Sequence, residues 1–241
     1  MMITETKQRV IFAMDVTHFS DAQRFVKLLK DRVGLFKVGK QLFTHAGPKV
    51  IDMIQQKGQK TFLDLKFHDI PNTIGKASQE ATKLNVTMFN VHALGGYEMM
   101  RTAAEATRQT AKELGFRKPT LLAVTILTSM DSKALREVGI NRPVAEQVKK
   151  LARLAQKSGL DGVVASPQEI HLIRRTCGTD FVIVTPGVRP AVSAKNDQKR
   201  VMTPRQAVEA GADYLVIGRP IQHADDPVEA VEKIVEEIEA G

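Results

Sequence analysis

The stretch KTFLDLKFHDIPNTIGKASQEATKL, residues 60–84, contains the unit on which the fold turns. Its first seven residues, 60–66, carry the apolar Phe62, Leu63 and Leu65 at their centre, with Asp64 and Lys66 toward the end. That is the pattern of a buried strand that becomes polar where it leaves the sheet. Residues 73–84 then repeat apolar positions at helical spacing, so the unit reads as strand, loop and helix. In a strand, side chains two apart share a face. Phe62, Asp64 and Lys66 therefore point one way, with Phe62 deepest, while Leu63 and Leu65 point toward the helices.

The same unit recurs on both sides. Apolar strand-like runs fall at 10–15, 35–39, 86–93, 120–127, 162–166, 181–186 and 214–218. A helical pattern follows each of them: from Ser20, and over 48–56, 97–114, 143–158, 168–176, 204–210 and 227–238. Ser20 with Gln23 three residues on has the form of a capping box, and Pro204 suits a first helical turn. Strict alternation predicts a parallel sheet. Eight units in 241 residues predict a single (β/α)8 barrel spanning 1–241, in preference to an open doubly wound sheet.

Composition narrows the function. Lys and Arg exceed Asp and Glu by 35 to 27, a net charge of +8. Aromatic residues are too few, and basic runs too short, for a nucleic-acid platform; a basic surface that attracts a small anion explains the charge. No apolar run approaches the ~20 residues of a membrane span. Residues 1–10 lack the apolar stretch of a signal peptide, and one cysteine, Cys177, cannot form an intrachain bridge. A cytoplasmic protein that binds neither membrane nor nucleic acid is expected.

Barrel chemistry sits where strands end. Asp15 ends the first predicted strand, Lys37 interrupts the second, and Asp64 and Lys66 end the third, with Asp69 close behind. Asn90 and His92 end the fourth, and Thr128 and Ser129 follow the fifth. Any one of these charges could be a structural ion pair. As a set on neighbouring strands they are costly to desolvate, several kcal/mol per ion unless paired, and such constellations mark functional clefts. Gly218 and Arg219 follow the last strand, where barrels often hold phosphate on backbone N–H groups and a forked guanidinium. Residues 188–202 lack periodicity and carry Arg189, Lys195, Gln198, Lys199 and Arg200, the composition of a basic lid. Neither GxGxxG nor GxxxxGK[ST] occurs, HExxH is absent, and there are no paired cysteines, so nucleotide-loop and zinc chemistry have no framework.

The run Asp64-Leu-Lys66-Phe-His-Asp69-Ile70-Pro71-Asn72-Thr73 resembles the DxKxxDIPNT signature of the orotidine 5′-phosphate decarboxylases. Further blocks agree in order: Asp15, Phe36-Lys37-Val38-Gly39, Asn90-Val91-His92-Ala93, Leu127-Thr128-Ser129-Met130, Pro186-Gly187-Val188-Arg189 and Ile217-Gly218-Arg219. The resemblance implies a homodimeric barrel with shared active sites. Its substrate would be a small nucleotide, orotidine 5′-monophosphate, converted to uridine 5′-monophosphate and CO₂ with neither metal nor organic cofactor. It further implies that Lys66 is the general acid, with Asp64 beside the departing carboxylate. Asp15 and Lys37 would bind ribose hydroxyls, Lys37 also belonging to the catalytic set. Asp69, with catalytic standing, and Thr73 would reach the partner's site, with Ile70 nearby. Thr128 would lie near the base, and Arg189, Gln198, Gly218 and Arg219 in the phosphate and lid region.

The alternative is a phosphate-binding barrel of the same superfamily, a Mg²⁺-dependent sugar-phosphate decarboxylase (the 3-keto-L-gulonate 6-phosphate decarboxylases and hexulose 6-phosphate synthases share a DxKxxD run) or an aldolase. Such a metal site wants an acidic residue where this chain has Lys37.

Overall fold

The structure is a computed structural model and describes residues 5–190 and 202–240. Eight strands lie within them: β1 (Val10–Met14), β2 (Leu35–Gly39), β3 (Thr61–Phe67), β4 (Met88–His92), β5 (Thr120–Val124), β6 (Gly162–Val164), β7 (Val182–Pro186) and β8 (Tyr214–Ile217). They pair in chain order, and β8 pairs in parallel with β1, so the sheet closes. The expected (β/α)8 barrel is the observed architecture.

Each crossover carries a helix. α1 (Phe19–Leu29) follows β1, while α2 (Lys40–Ala46) and α3 (Lys49–Gln56) follow β2. α4 (Pro71–Lys83) follows β3 and α5 (Gly96–Leu114) follows β4. α6 (Ser132–Glu137) and α7 (Val144–Lys157) follow β5, and α8 (Ile170–Cys177) follows β6. α9 (Pro204–Glu209) follows β7, and α10 (Arg219–Gln222) with α11 (Pro227–Glu239) follows β8.

Alternation along the strands divides the apolar side chains in two. Ile11, Leu35, Phe62, Met88, Leu122 and Val184 fill the barrel interior. Phe12, Phe36, Leu63, Phe89, Leu121, Ile183 and Leu215 face outward into the larger core against the helices. Burying each such side chain contributes about 1.5–3 kcal/mol. The next inward positions toward the strand ends are Ala13, Lys37, Asp64, Asn90 and Val124, so the interior changes from apolar to polar within one layer. Close packing makes particular demands on glycine: a Cβ on Gly162 would lie 2.1 Å from the Val182 carbonyl oxygen.

Several local expectations change. α1 begins at Phe19 with His18 at its N-cap and no side-chain cap, so Ser20 lies inside the first turn and the Ser20–Gln23 box does not form. A capping box does form between Thr203 and Gln206, with Pro204 at the first helical position between them. α4 begins two residues earlier than expected, because Pro71 is preorganised for the first helical turn and holds Ile70 extended. β5 stops at Val124, and the chain then turns along the barrel rim, with Met130 N–H donating to the Leu127 carbonyl at 2.9 Å. The short helices α2, α6 and α10 were not foreseen, since four to seven residues are too few to display a helical period.

Candidate active site

A cavity of about 700 Å³ opens at the C-terminal ends of the strands. Its floor is Phe62 with Val164 and Val216. Its wall carries Asp15, Lys37, Asp64, Lys66, Thr128, Arg189, Gly218 and Arg219, so eight of the expected site residues converge. Asp69, Ile70 and Thr73 lie outside it on an exposed surface, at the loop and first turn that lead into α4; Ile70 is 65% exposed. Gln198 lies outside the described residues, as do Lys195, Lys199 and Arg200 of the expected lid. The two ends of that segment meet, with Arg189 N–H donating to the Met202 carbonyl at 3.2 Å.

The charges form an alternating chain. Lys37 Nζ lies 3.2 Å from Asp15 Oδ1 and 3.3 Å from Asp64 Oδ2. Lys66 Nζ lies 2.6 Å from Asp64 Oδ1. The side chains of Lys37 and Asp64 are about nine-tenths buried, whereas that of Asp15 is 62% exposed. The chain thus runs from solvent into the barrel, and its deepest members are paired, as buried charges must be. Gly39 leaves room for it: a Cβ there would come within 3.1 Å of Lys37 Nζ.

Lys66 does not continue β3 regularly. Its φ is +54°, in the left-handed region that costs a side-chain-bearing residue about 1–2 kcal/mol. The β3–β4 register shifts between Leu63 and Phe67. Strict alternation predicted the shared face of Asp64 and Lys66 correctly, but through a bulge and not through a straight strand. Bulges of this kind re-aim side chains beside active sites.

Asn90 is the residue whose part was missed. It is fully buried on β4, accepts a hydrogen bond from Lys66 N–H at 2.8 Å and donates one to Asp64 Oδ1 at 2.7 Å. Its signal was available: it is a polar residue on the inward face of a strand, two positions after Met88.

His92, at the end of β4, is also perturbed. Burial pushes its pKa down to about 4, aided by His68, Lys40 and Lys66 and opposed by Asp64. The His68 and His92 rings lie 5.6 Å apart, and His92 Nδ1 is buried without a hydrogen-bond partner among the described residues. Cys177 ends α8, buried, with its thiol pushed up by that burial, as suits a packed and unreactive cysteine.

The opposite side of the mouth is cationic. Arg189 follows β7 and Arg219 follows β8, and neither forms an ion pair with a carboxylate among the described residues. Two residues before Arg189, Gly187 takes φ +82°, a conformation that favours glycine. Gly218 packs against β1, where a Cβ would lie 3.2 Å from that of Ala13. The cavity therefore has an alternating acid–base wall on β1 to β3 and, beyond β7 and β8, a cationic wall without a carboxylate partner among the described residues.

A family model described as "Orotidine 5'-phosphate decarboxylase / HUMPS family" matches residues 8–234. The chain belongs to this family. Relatives named orotidine 5′-phosphate decarboxylase from Geotalea daltonii and Geobacter sulfurreducens are 59% and 60% identical to it over 237 residues, covering 98% of each chain. The crystal structure of orotidine 5′-phosphate decarboxylase from Lactobacillus acidophilus superimposes with a TM-score of 0.85 at 42% identity, covering 95% of this chain and 98% of that one. That from Pyrococcus horikoshii OT3 gives 0.74 at 26% identity, covering 95% and 99%. The expected family resemblance holds over nearly the whole chain, and with it the expectation of an enzyme of this family.

Proposed function

We propose that the chain decarboxylates orotidine 5′-monophosphate to uridine 5′-monophosphate and CO₂, the step that completes uridine nucleotide synthesis, as a cofactor-independent catalytic barrel. One observation carries the reading: the Asp15–Lys37–Asp64–Lys66 chain faces a cationic wall across a single cavity, inside a chain that matches this family almost end to end.

The chemistry needs such a wall. When the bond between C6 and the carboxylate breaks, its electron pair stays on C6 in the plane of the pyrimidine ring. The π system cannot accept it, and no ketone is available for a Schiff base. Stabilisation must come from fixed charge near C6 and from a proton delivered there. Lys66 supplies both, an ammonium facing the developing carbanion and an N–H that protonates it. Solvent then returns the proton to Lys66. Asp64 holds Lys66 through a 2.6 Å hydrogen bond and lies beside the departing carboxylate. Lys37 and Asp15 receive the ribose hydroxyls, and Thr128 contacts the base.

Arg219, Arg189 and Gly218 take the phosphate, with Gln198 from the lid. Because the phosphate is remote from C6, its binding energy can be used to enforce the reactive geometry. Asp69, Ile70 and Thr73, exposed and outside the cavity of their own chain, serve the neighbouring site of a homodimer.

The Mg²⁺-dependent alternative fits less well. An ammonium from Lys37 occupies the place beside Asp64 where a divalent cation would need another carboxylate. The deciding experiment follows loss of orotidine 5′-monophosphate absorbance in excess EDTA. Undiminished turnover supports the proposal. Activity lost on chelation and restored by Mg²⁺ would move the chain to the alternative.

A further inference from the structure

The β3–β4 ladder is regular at Phe62–Met88 and Leu63–Phe89 and resumes at Phe67–Val91. Three residues of β3, Asp64, Leu65 and Lys66, are thus opposed by Asn90 alone. An irregularity of this size strands backbone groups, and a buried N–H without a partner is costly. The Asn90 side chain replaces the missing rung: its Oδ1 accepts from Lys66 N–H at 2.8 Å, and its Nδ2 donates to Asp64 Oδ1 at 2.7 Å. Only this amide orientation works. The reverse would set an NH₂ against an N–H and an oxygen against a carboxylate.

Asn90 is 0% exposed and is not among the residues lining the cavity. It acts through others. Asp64 Oδ1 is also the oxygen that holds Lys66 Nζ at 2.6 Å. One side chain therefore holds both ends of the Lys66 arrangement, the left-handed backbone from which its chain departs and the carboxylate oxygen on which its ammonium rests. We propose that Asn90 is a positioning residue for proton transfer, bridging the β3 bulge so that the Lys66 ammonium is held at C6. The inference rests on the decarboxylation proposed above.

Other residue types fail in distinguishable ways. Alanine leaves Lys66 N–H unpaired and Asp64 short of one donor. Aspartate is the sharper probe. Ionised, it can accept from Lys66 N–H but sets a second carboxylate against Asp64. Protonated, it reproduces the amide, with one oxygen accepting from Lys66 N–H and one O–H donating to Asp64. The charged groups around the position are Asp64 and Lys66 on β3 and, through Asp64, Lys37 on β2. His92 lies two residues further along β4, and β5 presents only Leu122 and Val124 beside it. Adjacent carboxylates share a proton more readily than an isolated one gains it.

The test compares the wild type with Asn90→Ala and Asn90→Asp, measuring kcat, KM and the affinity for uridine 5′-monophosphate, whose phosphate and ribose contacts do not involve position 90. A wild type that turns over orotidine 5′-monophosphate secures the underlying reading, so the variants test Asn90 alone. Asn90→Ala should bind uridine 5′-monophosphate within a few-fold of wild type while kcat falls roughly a hundredfold, the scale for a misplaced reacting group. Relative to wild type, Asn90→Asp should gain activity as pH falls from about 8 toward 5.5, by up to about tenfold per pH unit while its carboxyl takes up a proton. A purely structural role would instead lower kcat and nucleotide affinity in parallel and leave the Asn90→Asp profile parallel to wild type. Either result, or an Asn90→Ala kcat within about threefold of wild type, overturns the proposal.

Discussion

Replacing Arg219 by alanine should separate phosphate recognition from the rest of catalysis. Arg219 follows β8 directly, is solvent-exposed, lines the cavity and has no carboxylate partner within ion-pair distance among the described residues. Its removal therefore strands no buried charge, and its cost should appear only when an anionic ligand is present. A charge-assisted hydrogen bond contributes about 1.5–3 kcal/mol, and a guanidinium can make two to one phosphate. Solvent at the open mouth reduces their sum, so the expected loss is about 2–4 kcal/mol in kcat/KM. At about 1.36 kcal/mol per decade this is roughly a 30-fold to 900-fold decrease. Initial rates by absorbance loss at low orotidine 5′-monophosphate concentration measure it, and the same assay on the nucleoside orotidine, which has no phosphate, is the control. The nucleoside rate should barely change, and the thermal midpoint should stay within about 1 °C, as for a surface substitution. Equal fold-losses on both substrates would refute the assignment, since the change would then be acting through the fold.

Two further outcomes test the assembly and the titrating histidine. If Lys66 and Asp69 serve one site from different chains, inactive Lys66→Ala and Asp69→Ala variants refolded together should recover about a quarter of wild-type sites: half the dimers are mixed, and half of their sites carry neither lesion. No recovery, with subunit exchange confirmed by a tag, would assign both residues to a single chain. His92 is held down to about 4 in the fold, against 6.5 for an ordinary histidine. Between those values the unfolded chain binds the extra proton, so the contribution of His92 to stability is complete above pH 6.5 and is lost as pH falls toward 4. Urea midpoints across that window should fall less steeply for His92→Gln than for wild type, and identical slopes would contradict the burial argument.

Much of the site could be read before the fold was known, and the reason is local. Phe62, Asp64 and Lys66 share a face through the two-residue period of a strand, and the same period places Lys37 above Leu35 and Asp15 above Ala13. What failed was not local in cause. The Ser20–Gln23 spacing fits a capping box, but the helix starts at Phe19, where packing of Ala22, Phe25 and Val26 into the core sets its phase. Tertiary burial outweighs a cap that contributes about 1 kcal/mol.

The sequence by itself determined the alternation of strand and helix, and thereby the barrel, and it determined which strand ends carry charge, because both are properties of short windows. The tertiary structure alone decided the bulge at Lys66 and the bridge that spans it. Asn90 and Asp64 stand 26 residues apart, and their 2.7 Å hydrogen bond exists because β3 and β4 are neighbours whose register slips between Leu63 and Phe67. Closure was likewise decisive at the mouth, where β8 pairs with β1 and brings Gly218 against Ala13 and Asp15 from the other end of the chain. Period and composition describe what each segment can bury, whereas hydrogen bonds between segments depend on which strands meet and in what register.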